Sequence, residues 1–192
     1  MKITSSAIPL NINEIDTDQI IPARFLKATN REGFGDNLMR DWRYDSNNNI
    51  IKEFPLNNQK YKGTILVAGY NFGCGSSREH AAWAIADYGF KIIIAKSFAD
   101  IFKNNALNNG IVPICLPSDT VDSLIQLVNH TPESIVEVNL ETLILTIPSM
   151  NYQQKIELSE YKRTCIVNNY DDIDYLLNIQ NEIEVFEKTL II

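Results

Sequence analysis

The stretch at residues 71–80, Asn-Phe-Gly-Cys-Gly-Ser-Ser-Arg-Glu-His, concentrates side chains that could bind an anion or move a proton. Its two glycines let the backbone turn tightly and come close to a ligand. Ser76, Ser77 and Arg78 follow, and an arginine suits bidentate binding of a carboxylate. A helix starting here would add free amides with positive partial charge. The stretch therefore predicts a site for a carboxylate or an alkoxide.

The same stretch has competing interpretations. Ser76 and Glu79 have the spacing of a capping box, and that tetrapeptide taken alone favours a structural role at a helix start. The phosphate-loop pattern needs a lysine that is absent, and the dinucleotide pattern needs a glycine where Arg78 stands. The serine-hydrolase pattern Gly-x-Ser-x-Gly is also absent, and only His80 and His130 could partner a serine.

The elements around the stretch alternate between strand and helix. Residues 64–69 form a continuously apolar run typical of a buried strand, and residues 77–88 show helical spacing that ends at Gly89. Similar patterns predict a strand at 91–95, a helix at 98–109 and a strand at 111–116. This order predicts an α/β fold with a central parallel sheet and right-handed crossovers.

Beyond Pro117 the pattern changes. Ser118 or Asp119 could cap a helix at 120–129. Loose alternation over 136–147 and 152–158 predicts an antiparallel hairpin, and therefore an antiparallel layer beside the parallel sheet. The acidic tail at 170–192 has apolar residues in helical register, which predicts a C-terminal helix that packs on the domain or on a partner.

Composition limits the possible partners. With a net charge of −7 among 192 residues, the chain lacks the basic surface that nucleic acid or an anionic membrane would need. An anionic substrate must therefore be held by a few local arginines. No apolar run approaches the roughly 20 residues of a membrane span, and the start lacks a signal-peptide pattern. Three cysteines at wide spacing form no disulfide framework, so we expect a cytoplasmic protein.

Three motifs in order carry a resemblance to a known family. Residues 73–80 continue into Ala-Ala-Trp-Ala at 81–84 and Asp-Tyr-Gly-Phe at 87–90. Lys-Ser-Phe-Ala-Asp-Ile-Phe stands at 96–102, and Asp-Thr-Asp-Gln-Ile-Ile-Pro at 16–22. Over essentially its whole length the chain resembles the small-subunit family of bacterial 3-isopropylmalate dehydratase. That family belongs to the aconitase superfamily, and its members are similar to aconitase's swivelling domain.

The resemblance implies a hydro-lyase of leucine biosynthesis that isomerises 2-isopropylmalate and 3-isopropylmalate by dehydration and rehydration. It implies that Ser76 is the base, acting as an alkoxide, and that Ser77 and Arg78 hold a substrate carboxylate. A serine anion needs strong stabilisation, which helix amides and Arg78 could supply. The implied partner is a large subunit in a heterodimer, and the small dicarboxylate is the substrate. Homoaconitate or methylmalate-type substrates remain alternatives, as does a non-catalytic binding module of the same fold.

The superfamily's [4Fe–4S] cluster is held by three cysteines, and this chain does not offer such a set. Cys74, Cys115 and Cys165 are far apart, with no Cys-x-x-Cys pair. Cys115 and Cys165 lie in apolar settings and are interpreted as core residues, whereas Cys74 is expected to be exposed. We therefore expect no cofactor or metal in this chain, and a cluster in the large subunit.

The motif match also suggests secondary binding residues. Asp18 would lie on the active-site side of the domain, although Asp16 and Asp18 also suit turns or caps. Arg24 and Arg31 are candidates for the second carboxylate, and ordinary surface charge explains them equally well. We predict one swivelling β/β/α-type domain over 1–192, with a helical appendage at about 170–192. The segment at about 28–63 is polar, rich in asparagine and has few apolar residues to anchor it. It is therefore predicted to be a substrate loop that is mobile without its partner.

Overall fold

The computed structural model describes residues 1–26 and 33–190. The chain divides into two compact units, Met1–Glu157 and Leu158–Ile192, which are described separately. The first unit contains the predicted sheet and the serine-rich stretch, and the second is helical. The single domain boundary at 1–192 stays a prediction.

Seven strands form one sheet in the described part of the first unit. They are β1 (Lys2–Leu10), β2 (Ile65–Ala68), β3 (Ile92–Ala95), β4 (Val112–Cys115), β5 (Ile135–Asn139), β6 (Ile144–Ile147) and β7 (Tyr152–Lys155). Their order across the sheet is β4-β3-β2-β1-β5-β6-β7. Strands β2 to β4 run parallel, as the alternating pattern predicts. Strand β1, which that pattern did not include, pairs parallel with β2, and β5 to β7 pair antiparallel.

Strand β1 joins the two halves of the sheet. Its first residues, from Lys2 to Ser6, pair antiparallel with β5, and its last, from Ala7 to Leu10, pair parallel with β2. The predicted antiparallel layer is thus a continuation of the same sheet. The α/β fold class is confirmed. The predicted hairpin is a three-stranded meander, because the run at 136–147 contains two strands.

The described residues form eight α-helices, five in the first unit and three in the second. The first unit contains α1 (Thr17–Ile20), α2 (Arg40–Arg43), α3 (Glu79–Tyr88), α4 (Asp100–Asn108) and α5 (Ser118–His130). The second contains α6 (Glu160–Asn168), α7 (Asp172–Asn178) and α8 (Gln180–Thr189). Short 3-10 turns lie at Ala23–Phe25, Gly35–Asn37 and Pro148–Met150. None of the helices in the described chain has both the length and the apolar composition that a bilayer crossing demands.

Helices cover both faces of the parallel strands. All residues of β2 and β3 are buried, as expected for parallel strands packed on two sides. Helices α3 and α4 bury Ile85, Phe102 and Ala106 in one core cluster with Leu66 and Ile93. Helix α5 packs on β1 and β2, and its buried apolar residues lie outside that cluster. Successive strand residues point to opposite faces, so α5 covers the other face.

The segment at 33–63 differs from the predicted loop. Phe34, Leu38, Met39 and Leu56 are buried in the core cluster, so the expectation of few apolar anchors is wrong for these residues. Arg43 is 8% exposed and donates from Nε to Asn57 Oδ1 at 3.0 Å and from Nη1 to the Leu38 carbonyl at 3.2 Å. These contacts attach the segment to the domain. Residues 27–32 lie outside the described residues, and partner-induced ordering stays a prediction.

Several predicted boundaries are corrected by the structure. Helix α5 begins directly after Pro117, and neither Ser118 nor Asp119 caps it in the described structure. The tail predicted as one helix is two helices, α7 and α8, separated at Ile179, with α6 before them. Propensity alone did not reveal these breaks, since the apolar register continues through them.

Candidate active site

The candidate site lies at the carboxyl ends of the parallel strands, where open α/β sheets bind their ligands. Residues 73–78, here called the serine loop, form the last part of the connection from β2 to α3. The connection from β1 to α1 runs beside it. Backbone hydrogen bonds extend the β1–β2 pairing into these loops: the Gly73 amide donates to the Ile15 carbonyl and the Thr17 amide to the Cys74 carbonyl, both at 2.8 Å. The motifs at 16–22 and 73–80 are thus held together.

Two glycines make the serine loop possible. Gly73 has φ +77° and Gly75 φ +91°, a region that L side chains rarely adopt. A Cβ on Gly73 would lie 2.1 Å from Cγ of Phe102. A Cβ on Gly75 would lie 3.3 Å from Thr17 Oγ1. The loop therefore packs on α4 on one side and on α1 on the other, and its course is fixed.

Ser76 is exposed and faces Thr17 of α1. Its Oγ lies 3.2 Å from Thr17 Oγ1, and its carbonyl accepts from the same hydroxyl at 3.1 Å. The capping-box alternative is wrong, because α3 begins at Glu79 and its N-cap is Arg78. The Ser76 side chain therefore does not cap α3 and is available to a ligand. The Glu79 carboxylate accepts from Asn109 Nδ2 at 3.1 Å, away from the capping role.

Two positive groups follow Ser76 and Ser77 in the chain, the start of α3 and the side chain of Arg78. In the described residues no side chain caps the start of α3, so its first amides stay open to a ligand. Arg78 stands directly before the helix and forms an ion pair with Asp18 of α1. The guanidinium is half-buried and Asp18 is exposed, so the carboxylate holds the arginine from the solvent side. Such an arrangement suits binding of a carboxylate and stabilisation of an alkoxide.

Comparison with known proteins identifies the family. Residues 1–119 match the family described as aconitase C-terminal domain. The 3-isopropylmalate dehydratase small subunit of Karelsulcia muelleri is 53% identical over 184 residues, covering 96% of this chain and 93% of that protein. The one from Azobacteroides pseudotrichonymphae is 52% identical over 187 residues, covering 97% and 95%. The chain belongs to the 3-isopropylmalate dehydratase small-subunit family.

A solved structure of the family has the same fold. The crystal structure of 3-isopropylmalate dehydratase from Methanocaldococcus jannaschii aligns with a TM-score of 0.68 at 32% identity. The alignment covers 97% of this chain and 99% of that chain. The predicted membership of the aconitase superfamily is thereby confirmed, together with the swivel-type fold class.

The structure brings together only part of the predicted set of binding residues. Asp18, Ser76, Ser77 and Arg78 share one edge of the domain, through the paired loops described above. Arg24 lies in the 3-10 turn Ala23–Phe25 and forms a bidentate ion pair with Asp41 of α2. In this state its guanidinium is occupied. Arg31 lies outside the described residues, so its part in the site is untested.

The cysteines of this family member do not fit an iron–sulfur cluster. Such clusters need several thiolates at one place. Among residues 1–26 and 33–190, no three His, Cys, Asp or Glu side chains are grouped closely enough to hold a metal ion. Burial raises the pKa of the partly buried Cys74 thiol, and the charge of Asp16 raises it further, which disfavours the thiolate. Cys165 is buried as predicted, but Cys115 is exposed, because it ends an edge strand.

Sequence reasoning missed two residues that touch the predicted set. Thr17 is 2% exposed and contacts Ser76. In the pattern Asp-Thr-Asp, only the two charged neighbours of Thr17 were considered as site residues. Asp41 holds Arg24 across 17 residues of chain. The only available signal for Thr17 was its place inside a motif, and none pointed to Asp41.

Proposed function

We propose that this chain supplies the proton-transfer and carboxylate-binding groups of a 3-isopropylmalate dehydratase active site. The site would be completed by a large subunit that carries the [4Fe–4S] cluster, in a heterodimer. The observation that supports this most directly is that Ser76 is exposed, two residues before Arg78 and the uncapped start of α3. Its relatives are named as small subunits of this hydro-lyase, which implies a large subunit.

Ser76 would act as the base in the interconversion of 2-isopropylmalate and 3-isopropylmalate. In the dehydration direction the Ser76 alkoxide would take a proton from the carbon next to a carboxylate, so that an O–H bond forms and the C–H electron pair becomes the second C–C bond. The C–O bond on the neighbouring carbon would break, and its hydroxyl would leave as water after protonation. In the rehydration direction Ser76 would return that proton. A serine hydroxyl is a weak base near neutral pH, so its anion needs preorganised positive groups. The amides at the start of α3 and the guanidinium of Arg78 are such groups.

Ser77 and Arg78 would hold one substrate carboxylate. Asp18 carries a negative charge and would repel a dicarboxylate, so its contribution would be to hold Arg78 in place through the ion pair. Arg24 would bind the second carboxylate by exchanging Asp41 for it, and Arg31 remains the other candidate. Three free cysteines support a reducing compartment, and hence the cytoplasm.

Turnover of the complex with the large subunit tests the role of Ser76. Ser76→Ala is expected to lower kcat by ~10²–10⁴-fold or more while KM changes little, because a general base is lost and binding groups remain. Ser149→Ala, an exposed serine in the antiparallel half, is the control and should keep normal kcat. If Ser76→Ala were folded and turned over normally, Ser76 would not be the base.

A further inference from the structure

The buried hydroxyl of Thr17 forms the closest described polar contact of the Ser76 side chain. Thr17 Oγ1 lies 3.2 Å from Ser76 Oγ and 3.1 Å from the Ser76 carbonyl oxygen. Thr17 is 2% exposed, so water does not compete for hydrogen bonds with its hydroxyl. A buried threonine at one end of a catalytic motif, aimed at the proposed base, needs a role beyond filling space.

The position of Thr17 is fixed independently of its hydroxyl. Asp16 caps α1 and forms a capping box with Gln19, so the single helical turn starts at a defined residue. The Thr17 amide donates to the Cys74 carbonyl at 2.8 Å, which ties the turn to the serine loop. A β-branched side chain has few rotamers, so the hydroxyl direction is restricted as well. The Thr17 oxygen is therefore preorganised toward Ser76.

The hydrogen-bond inventory allows the Thr17 proton to change acceptor without leaving a polar group unpaired. A threonine hydroxyl has one proton to donate and can also accept. While Ser76 is neutral, Thr17 can donate to the Ser76 carbonyl and accept the Ser76 hydroxyl proton. That carbonyl also accepts from the Arg78 amide at 2.7 Å, so it stays paired if Thr17 turns away. The Thr17 proton is then free to point at a deprotonated Ser76.

We propose that Thr17 is a positioning residue that orients the Ser76 hydroxyl and donates a hydrogen bond to the Ser76 alkoxide. This role rests on the proposed function of Ser76 as the base. Thr17 keeps its proton throughout, and only the direction of its O–H bond changes. Hydrogen bonds to an ionised acceptor are stronger than those between neutral groups, and a water-excluded donor strengthens them further. Thr17 thus favours the basic form of Ser76.

Variants of Thr17 in the complex with the large subunit test this role. Thr17→Val removes the hydroxyl at almost constant volume and is expected to lower kcat about 10- to 100-fold with KM within about threefold. The pH at which kcat reaches its plateau should rise by about one to two units, because the alkoxide is less stabilised. Thr17→Ser keeps the hydroxyl and should restore most of the turnover. The neighbouring charges of Asp16, Asp18 and Arg78 are the same in each variant.

Controls separate this inference from packing effects and from the proposed function. Thr146→Val, in β6, should leave kcat and its pH profile unchanged. Thr17→Ala, which also lacks the hydroxyl, replaces Thr17→Val if that variant does not fold. In a Ser76→Ala background, loss of the Thr17 hydroxyl should cause no further decrease, because Thr17 acts through Ser76.

Three results would overturn the inference. Normal kcat and pH profile in Thr17→Val, with Ser76→Ala inactive, would remove the role of Thr17 and leave that of Ser76 intact. Equal losses in Thr17→Val and Thr17→Ser, without a shift in the pH profile, would show that Thr17 only fills space. Normal turnover in folded Ser76→Ala would overturn the proposed function and the role of Thr17 together.

Discussion

Replacing Gly73 by alanine would directly test how tightly the serine loop is constrained. The new Cβ would lie 2.1 Å from Cγ and 2.5 Å from Cβ of Phe102. Phe102 is 2% exposed and packs edge-on against Phe72, with ring centroids 5.2 Å apart, so it has little room to move. The left-handed backbone costs about 1–2 kcal/mol for a residue with Cβ, and overpacking a core adds about 1–3 kcal/mol. We expect Gly73→Ala to lower the free energy of unfolding by roughly 2–5 kcal/mol.

Gly110→Ala is the matched control for the backbone term. Gly110 has φ +73°, close to the +77° of Gly73, but no described atom beyond its chain neighbours lies within 4 Å of its added Cβ. Gly110→Ala should therefore lower the free energy of unfolding by only about 1–2 kcal/mol. Urea denaturation of both variants, followed by far-UV circular dichroism, measures the difference, which is the effect of overlap with Phe102. If Gly73→Ala were no less stable than Gly110→Ala, the overlap would have relaxed and the loop would not be rigid.

Two further predictions concern Arg43 and Arg24. Arg43→Met should lower the free energy of unfolding by about 2–3 kcal/mol, because it leaves Asn57 and buried carbonyls without their donor. The control Arg40→Met should lower it by less than ~1 kcal/mol. Equal midpoints of urea denaturation for the two variants would contradict this prediction. The Arg24 guanidinium lowers the pKa of Asp41, so this pair stabilises the fold above the unfolded pKa of about 3.9 and loses its effect as pH falls through the lower folded pKa. Arg24→Gln should raise the pKa of Asp41 in an NMR titration, and an unchanged value would show that the ion pair does not persist in solution.

The sequence predicted the place of the serine loop between β2 and α3 better than it predicted how α3 is capped. The anion site inferred from the glycines, the serines and Arg78 stays a prediction. The same letters wrongly suggested that Ser76 caps α3. A capping box is a local pattern, and it competes with tertiary contacts that local spacing does not encode. Here Ser76 contacts Thr17, 59 residues earlier, and α3 starts at Glu79, later than a capping box at Ser76 would require.

The polar segment at 33–63 also has tertiary contacts that local sequence patterns do not predict. Its asparagines predicted an unanchored loop, yet Phe34, Leu38 and Met39 are spaced so that a few irregular turns bury all three. Irregular structure has no fixed period, so apolar anchors within it carry no periodic signal. Arg43 could not be identified as buried, because its neutral partners come from turns that exist only in the folded chain.

The sequence by itself determined the order along the chain of β2 to β4 and the helices between them, the family, and the residue types of the serine loop. Those features follow from local periodicity and from motifs that are contiguous in the chain. Only the tertiary structure decided that β1 links both halves of the sheet, that Asp18 holds Arg78, and that Thr17 faces Ser76. These contacts join residues that are distant in the chain, and they arise when adjacent parallel strands bring their carboxyl ends, and the loops that follow them, side by side.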